Sequence, residues 1–254
     1  ADCPPHYWIE SQDQFLLCPT DQSVWQAQLC HYRPDQIFRL SGLAIHPKFY
    51  QPVIVNRQQE RQRLGLDPDL PTGLVMFGSQ GSQMMLKIAE YLAQSRLNLQ
   101  LIFLCGKNKK LALTLSRRQY PFPKVVETFT PEIPYYMDLS DFLIGKPGSA
   151  TITEALVRKL PIITECNRST LLQERYNTEW ITQNQVGIVL DTFGNINRAV
   201  AEVIQPQNLA NYRTQVNRLN NRGIFEAVAI LEDLANWDKD HEKNLARRDT
   251  IFQR

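Results

Sequence analysis

Short apolar runs alternate with amphipathic segments along most of this chain. The run Gly73–Phe77 has no polar side chain, which is typical of a strand buried on both faces of a parallel sheet. The elements predicted after it are, in chain order, helix 83–95, strand 99–105, helix 109–119, strand 124–129, helix 133–139, strand 142–144, a helix that ends before Pro161, strand 162–164, helix 171–183, strand 187–190, and helices 196–204, 208–220 and 225–237. This alternation predicts an α/β fold with a doubly wound parallel sheet, in which ligands bind at the carboxyl ends of the strands.

A shorter strand-helix-strand unit precedes this domain. Predicted strands 14–18 and 36–40 flank a helix over 21–31, which Thr20 or Asp21 can cap. A unit of this size cannot bury its own faces. We therefore expect residues 1–50 to be the tail end of an N-terminal α/β domain, residues 51–72 a linker, residues 73–237 the ligand-binding domain, and residues 238–254 a charged tail or terminal helix.

Composition and charge exclude several classes of protein. The chain has 254 residues, of which 43% are hydrophobic and 21% charged, as in a soluble globular protein. Its formal net charge of +2, with no basic stretch interleaved with aromatic side chains, argues against a nucleic-acid partner. No apolar run reaches the roughly 18 residues of a membrane span, and the N-terminal residues do not resemble a signal peptide. The five cysteines are scattered and not spaced as a metal site, so we expect a cytoplasmic protein.

Two glycine-containing turns are candidate anion sites. The loop Gly78–Ser82 follows a buried strand and opens a helix, so its backbone amides can face an anionic group. It has neither the lysine of a P-loop nor the spacing of a dinucleotide motif, and such residues are also common in any strand-to-helix turn. The second turn, 145–151, is followed one helical turn later by Glu154. Glu154 can accept hydrogen bonds from a ribose diol, or form a capping box with Thr151 as N-cap, or do both.

Three motifs, in order along the chain, resemble those of a known family. They are FGSQGS at 77–82, GKPGSATITEAL at 145–156 and QERYN at 173–177. Over roughly residues 36–204 the sequence resembles the C-terminal, donor-binding half of the glycosyltransferase family that contains MurG and monogalactosyldiacylglycerol synthase. The resemblance implies a Rossmann-like domain of the GT-B type, preceded by the remnant of an N-terminal domain.

The resemblance also implies a role for individual residues. The residues implied to bind the donor diphosphate are Gly78, Ser79, Gln80, Gly81, Ser82, Gly148, Ser149, Ala150, Thr151 and His46. Backbone groups near Phe129 are expected to bind the base and Glu154 the ribose, while Gln173, Glu174 and Asn177 bind the sugar. The segment SGLAIHPKF at 41–49 is similar to a further segment of the family, in which an arginine stands at the position of His46. A histidine carries only a partial positive charge near neutral pH. We expect no metal and no cofactor, because helix N-termini can neutralise the leaving diphosphate.

The implied function is the transfer of a hexose or N-acetylhexosamine from a UDP-sugar to a lipid or lipid-linked acceptor. The family's acceptor-binding domain is expected from a missing N-terminal segment or a partner chain, and no residue here matches a catalytic base. Peripheral membrane association and self-association are further expectations. The alternatives are a non-catalytic nucleotide-sugar-binding module, one subunit of a split glycosyltransferase, and a sugar-nucleotide epimerase or hydrolase on the same architecture.

Overall fold

The computed structural model describes residues 9–10 and 12–236. Its N-terminal part is the predicted strand-helix-strand unit, formed by β1 (Leu16–Cys18), α1 (Asp21–Leu29) and β2 (Ile37–Arg39). Thr20 Oγ1 accepts a hydrogen bond of 3.1 Å from the backbone N–H of Ser23 and so caps α1. The two strands pair in parallel, and a small apolar cluster of their own lies beneath the helix.

This unit leaves large apolar side chains uncovered. Phe15 is 46% exposed and Trp25 is 53% exposed. Two strands of three residues and one helix have too little surface to cover such side chains. Within the described part of the chain, the strand-helix-strand unit therefore does not form a complete hydrophobic core by itself.

The segment 51–72 is held against the main domain by an ion cluster around the buried carboxylate of Asp141. It contains the short helix α2 (Arg57–Arg63). Arg61 is only 4% exposed and donates to Leu139 O at 3.0 Å and to Asp141 Oδ2 at 2.8 Å. Arg57 and Arg213 both donate to Asp141 Oδ1, at 2.8 Å and 2.7 Å. Three guanidinium groups thus share one carboxylate. Two of them, those of Arg57 and Arg61, belong to α2, so the cluster fixes the segment 51–72 to the main domain.

Six parallel strands form the main sheet, which confirms the predicted doubly wound fold. They are β3 (Thr72–Met76), β4 (Gln100–Leu104), β5 (Lys124–Glu127), β6 (Phe142–Gly145), β7 (Ile162–Glu165) and β8 (Gly187–Leu190), in the order β5-β4-β3-β6-β7-β8. The chain moves outward from β3 to β5 and then returns to the other side of β3 as β6. The loops after β3 and β6 therefore diverge, and a ligand crevice is expected between them.

Helices cover both faces of the sheet. They are α3 (Met84–Gln94), α4 (Lys109–Arg117), α5 (Ile133–Asp138), α6 (Ser149–Val157), α7 (Leu172–Gln183), α8 (Ile196–Val203), α9 (Pro206–Arg218) and α10, which covers 223–236. Alternate strand residues point to opposite faces, so Val75 packs with α3, α4 and α8, whereas Leu74 packs with α5, α6 and α7. The predicted elements are all present in the described residues, with ends that differ by a few positions. The predicted tail, 238–254, lies outside the described residues.

Candidate functional site

A cavity of about 220 Å³ lies at the carboxyl ends of the central strands, at the crevice between the loops after β3 and β6. Its lining includes six residues that the sequence singled out, namely Gly78, Ser79, Phe129, Ala150, Thr151 and Glu154. They come from the loop after β3, the segment after β5 and the first turns of α6. The fold thus brings together in one place the glycine loop, a helix N-terminus and a carboxylate.

Close backbone contacts shape the loop that follows β3. A Cβ atom at Gly106 would lie 2.3 Å from Ser79 O, and Gly106 also has a φ of +57°, which disfavours any other residue. The N–H of Lys107 donates to the same Ser79 oxygen at 2.7 Å. The loops after β3 and β4 are therefore packed directly on each other, and this contact holds Gly78 and Ser79 at the cavity.

This contact can be tested with a pair of glycine variants. Gly65 has a similar φ of +73°, but a Cβ atom added there would meet no other atom within 4 Å. We expect Gly65→Ala to lower the free energy of unfolding by about 1 kcal/mol from the left-handed conformation alone, and Gly106→Ala by about 2 kcal/mol because overpacking adds to it. Urea unfolding of both variants measures the difference, and equal losses would mean that the Gly106 contact relaxes freely.

The N-terminus of α6 faces the cavity without a side-chain cap. Its N-cap is Gly148, which has no side chain that could accept a hydrogen bond from the first-turn N–H groups. The predicted capping box, with Thr151 as N-cap and Glu154 three residues later, is therefore wrong. Gly148 has an extended backbone conformation, with ψ of 131°, and the helix begins at Ser149, so Thr151 lies inside the first turn. The first-turn N–H groups of a helix have no intrahelical partner, and they carry the positive end of the helix dipole. An anion in the crevice would find these donors in place.

Glu154 reaches into the cavity from the second turn of α6 and is partly buried. Burial raises the pKa of its carboxyl group to about 7, and the nearby Lys48 ammonium opposes that rise. Lys48 is also anchored through a hydrogen bond of 2.8 Å from its Nζ to Pro131 O. Lys48 was not among the predicted site residues, because it is far from Glu154 along the chain and no sequence pattern links the two.

Two of the residues predicted to bind the sugar lie close to the turn after β6. Asn177 is fully buried, and its Nδ2 donates to Pro147 O at 2.8 Å and to Ser149 Oγ at 3.0 Å. It therefore holds the start of α6 in place, and its contact with a sugar stays a prediction. Glu174 forms an ion pair with Lys146, with 3.2 Å between Oε1 and Nζ. The predicted site residues did not include Lys146, although it lies inside the GKPG motif, between two glycines.

His46 lies outside the lining of the small cavity. It is exposed, and its Nδ1 accepts a hydrogen bond of 3.1 Å from the N–H of Lys48 at the start of a short 3₁₀ helix. It lines a wider, open cavity of about 820 Å³ that shares Thr130 with the small one. Its predicted contact with the diphosphate therefore stays a prediction, as do those of Gln80, Gly81, Ser82, Gly148 and Ser149, which flank the cavity lining.

Neither a metal centre nor a membrane span is found among the described residues. Residues 9–10 and 12–236 contain no cluster of three or more histidine, cysteine, aspartate or glutamate side chains that could hold a metal ion. Within the same ranges, no helix is both long and apolar enough to cross a membrane.

Comparison with known proteins shows the family to which the chain belongs. Residues 72–226 match the glycosyltransferase family 28 C-terminal domain. The chain is 32% identical over 244 residues to monogalactosyldiacylglycerol synthase of Spinacia oleracea, covering 92% of this chain and 46% of the synthase. It spans about half, or less, of the length of the plant synthases that it matches.

Solved structures show the same fold at low sequence identity. MurG of Acinetobacter baumannii superposes with a TM-score of 0.58 at 15% identity, covering 85% of this chain and 64% of MurG. Anabaena HepE in complex with UDP-glucose superposes with a TM-score of 0.57 at 14% identity, covering 88% of this chain and 64% of HepE. The fold is therefore that of the C-terminal Rossmann-like domain of GT-B glycosyltransferases, and the chain belongs to glycosyltransferase family 28 through a C-terminal domain that covers residues 72–226.

Proposed function

We propose that this chain is the donor-binding part of a UDP-sugar-dependent glycosyltransferase that transfers a hexose or an N-acetylhexosamine to a lipid or lipid-linked acceptor. The observation that carries the proposal is the cavity where the loop after β3, the uncapped start of α6 and Glu154 meet. The names of the plant relatives support a glycolipid product, and the UDP-glucose complex of HepE supports a nucleotide-sugar ligand.

The proposed donor fits the site in three parts. The diphosphate would accept hydrogen bonds from the amides of the Gly78–Ser82 loop and from the first turn of α6. The ribose hydroxyls would donate to the carboxylate of Glu154, and the uracil would lie beside Phe129. A cavity of about 220 Å³ is small for a whole UDP-sugar, so the sugar would extend beyond it, toward the Lys146–Glu174 ion pair beside Gly148.

Transfer requires groups beyond this site. An acceptor hydroxyl would attack the anomeric carbon, the bond from that carbon to the β-phosphate oxygen would break, and its electron pair would leave with UDP. The helix dipole of α6 would stabilise the charge that develops on the leaving phosphate. We propose that an N-terminal domain or a partner chain positions the acceptor and supplies the base for its proton, since the chain spans about half of its plant relatives.

Binding of UDP in the absence of metal is the test of this function. We expect calorimetric titration to show the same UDP affinity with and without EDTA, because backbone amides and a helix N-terminus supply the positive potential. UMP is expected to bind more weakly than UDP, since it lacks the second phosphate. Absence of UDP binding would contradict the proposed function, and a strict need for a divalent cation would contradict the metal-free site.

A further inference from the structure

Lys146 occupies a distinctive place at the crevice. It is the residue directly after β6, whose last residue, Gly145, pairs with Met76 at the end of β3. A Cβ atom at Gly145 would lie 2.5 Å from Met76 O, so glycine allows the two strand ends to approach this closely. Lys146 therefore leaves the sheet at the point where the loops after β3 and β6 diverge.

The side chain of Lys146 lies between the two glycine-containing turns, 78–82 and 145–151. A Cβ atom at Gly78 would lie 3.8 Å from Lys146 Cε, and one at Gly148 would lie 3.5 Å from the same atom. The end of the side chain thus lies beside Gly78 and Gly148, which belong to the two turns proposed to hold the diphosphate. The side chain is 47% exposed, so a ligand can reach it.

Glu174 neutralises this ammonium in the structure. Its carboxylate comes from the first turn of α7, its side chain is 13% exposed, and Oε1 lies 3.2 Å from Lys146 Nζ. Oε1 also lies 3.5 Å from the position that a Cβ atom would take at Gly148, so it borders the start of α6. An ion pair with one flexible, half-exposed member contributes little stability and is readily exchanged for a stronger partner.

A diphosphate is such a partner. It carries more negative charge than one carboxylate, and a bond from an ammonium group to a phosphate oxygen is charge-assisted. We propose that the Lys146–Glu174 ion pair couples recognition of the diphosphate to recognition of the sugar. The β-phosphate takes over the Lys146 ammonium, and the Glu174 carboxylate is then free to accept hydrogen bonds from sugar hydroxyls. This inference rests on the proposed function and assigns Lys146 as the side-chain cation of the donor site.

The test compares UMP, UDP and UDP-sugars by calorimetry. Lys146→Met is expected to weaken UDP by about 10–100-fold, the loss of a charged hydrogen bond, while UMP changes by no more than about threefold. Lys146→Arg is expected to retain most of the UDP affinity, because it keeps the charge. Glu174→Gln is expected to leave UDP unchanged or tighter, and to weaken the best-bound of UDP-glucose, UDP-galactose and UDP-N-acetylglucosamine by about tenfold.

Lys159→Met is the matched control, since Lys159 follows the opposite end of the same helix α6 and is exposed. It should leave all three ligands unchanged. Equal weakening of UMP and UDP by Lys146→Met, or equal weakening of UDP and the UDP-sugar by Glu174→Gln, would show a merely structural role and overturn the coupling alone. A wild-type protein that binds neither UMP nor UDP would overturn the proposed function as well.

Discussion

Asp141→Ala is expected to lower the free energy of unfolding by about 3–5 kcal/mol, the typical cost of leaving a buried charge without its partner. Asp141 is 7% exposed and accepts hydrogen bonds from three arginines and from the N–H of Thr72 at 2.9 Å. Arg61 is the most deeply buried of the three, at 4% exposed. Without the carboxylate, its guanidinium would stay buried with only carbonyl acceptors.

Urea unfolding at pH 7 measures this effect, with Asp191→Ala as the control. Asp191 is exposed, and its substitution should change stability by no more than about 0.5 kcal/mol. Burial by itself raises the pKa of Asp141, but Arg57, Arg61 and the Thr72 amide outweigh it and hold the pKa below its ordinary value of 3.8. The stabilisation should therefore be complete above pH of about 3.8 and be lost as the pH falls through the lower native pKa. A difference between wild type and variant that does not shrink in acid would contradict the ionic explanation.

Glu154→Ala is expected to weaken UDP by about 1.5–3 kcal/mol, roughly 10–100-fold, through loss of hydrogen bonds from the ribose to a charged group. Thermal unfolding of the unliganded variant serves as the check on its fold, and UMP should lose a similar factor because it has the same ribose. Calorimetry that finds equal UDP affinity in the variant and the wild type would show that Glu154 does not touch the ligand.

The affinity for UDP should also depend on pH through Glu154. Ribose hydroxyls donate to the ionised carboxylate, so binding favours the deprotonated form and should tighten as the pH rises through the native pKa of about 7. The expected gain between pH 6 and pH 8 is about tenfold, and Glu154→Gln should abolish it. A gain that persists in Glu154→Gln would mean that another group, such as the terminal phosphate of UDP, governs the pH dependence.

The order of the main elements could be predicted from the sequence because the central strands are buried on both faces. Strands such as β3 and β4 have only buried residues, and such apolar runs bounded by glycine and polar turns are easy to recognise. The exact start of α6 was harder to predict. Thr151 and Glu154 have the spacing of a capping box, which predicts a helix that begins after Thr151. The helix instead begins two residues earlier, at Ser149, directly after the Pro147–Gly148 turn.

The lining of the candidate cavity could be predicted where its residues lie in local motifs, and was missed where contacts join distant parts of the chain; the binding roles of these residues stay predictions. Gly78, Ser79, Ala150, Thr151 and Glu154 follow strands whose carboxyl ends meet in a doubly wound sheet. Lys48 lies near Glu154 because the segment after β2 folds back toward α6, and no local sequence pattern predicts that fold. The role of Arg61 was likewise missed, because a run rich in arginine and glutamine is typical of a solvated surface, whereas here it meets a single buried carboxylate.

A crystal structure of the protein with UDP, grown without divalent metal, would show directly whether this cavity is the donor site. We expect the diphosphate between the Gly78–Ser82 loop and the first turn of α6, the ribose on Glu154 and the uracil beside Phe129. We also expect Lys146 Nζ within hydrogen-bond distance of the β-phosphate, roughly 2.7–2.9 Å. UDP bound elsewhere, for example among Arg57, Arg61 and Arg213 at the opposite end of the sheet, with the cavity beside Glu154 empty, would contradict the account.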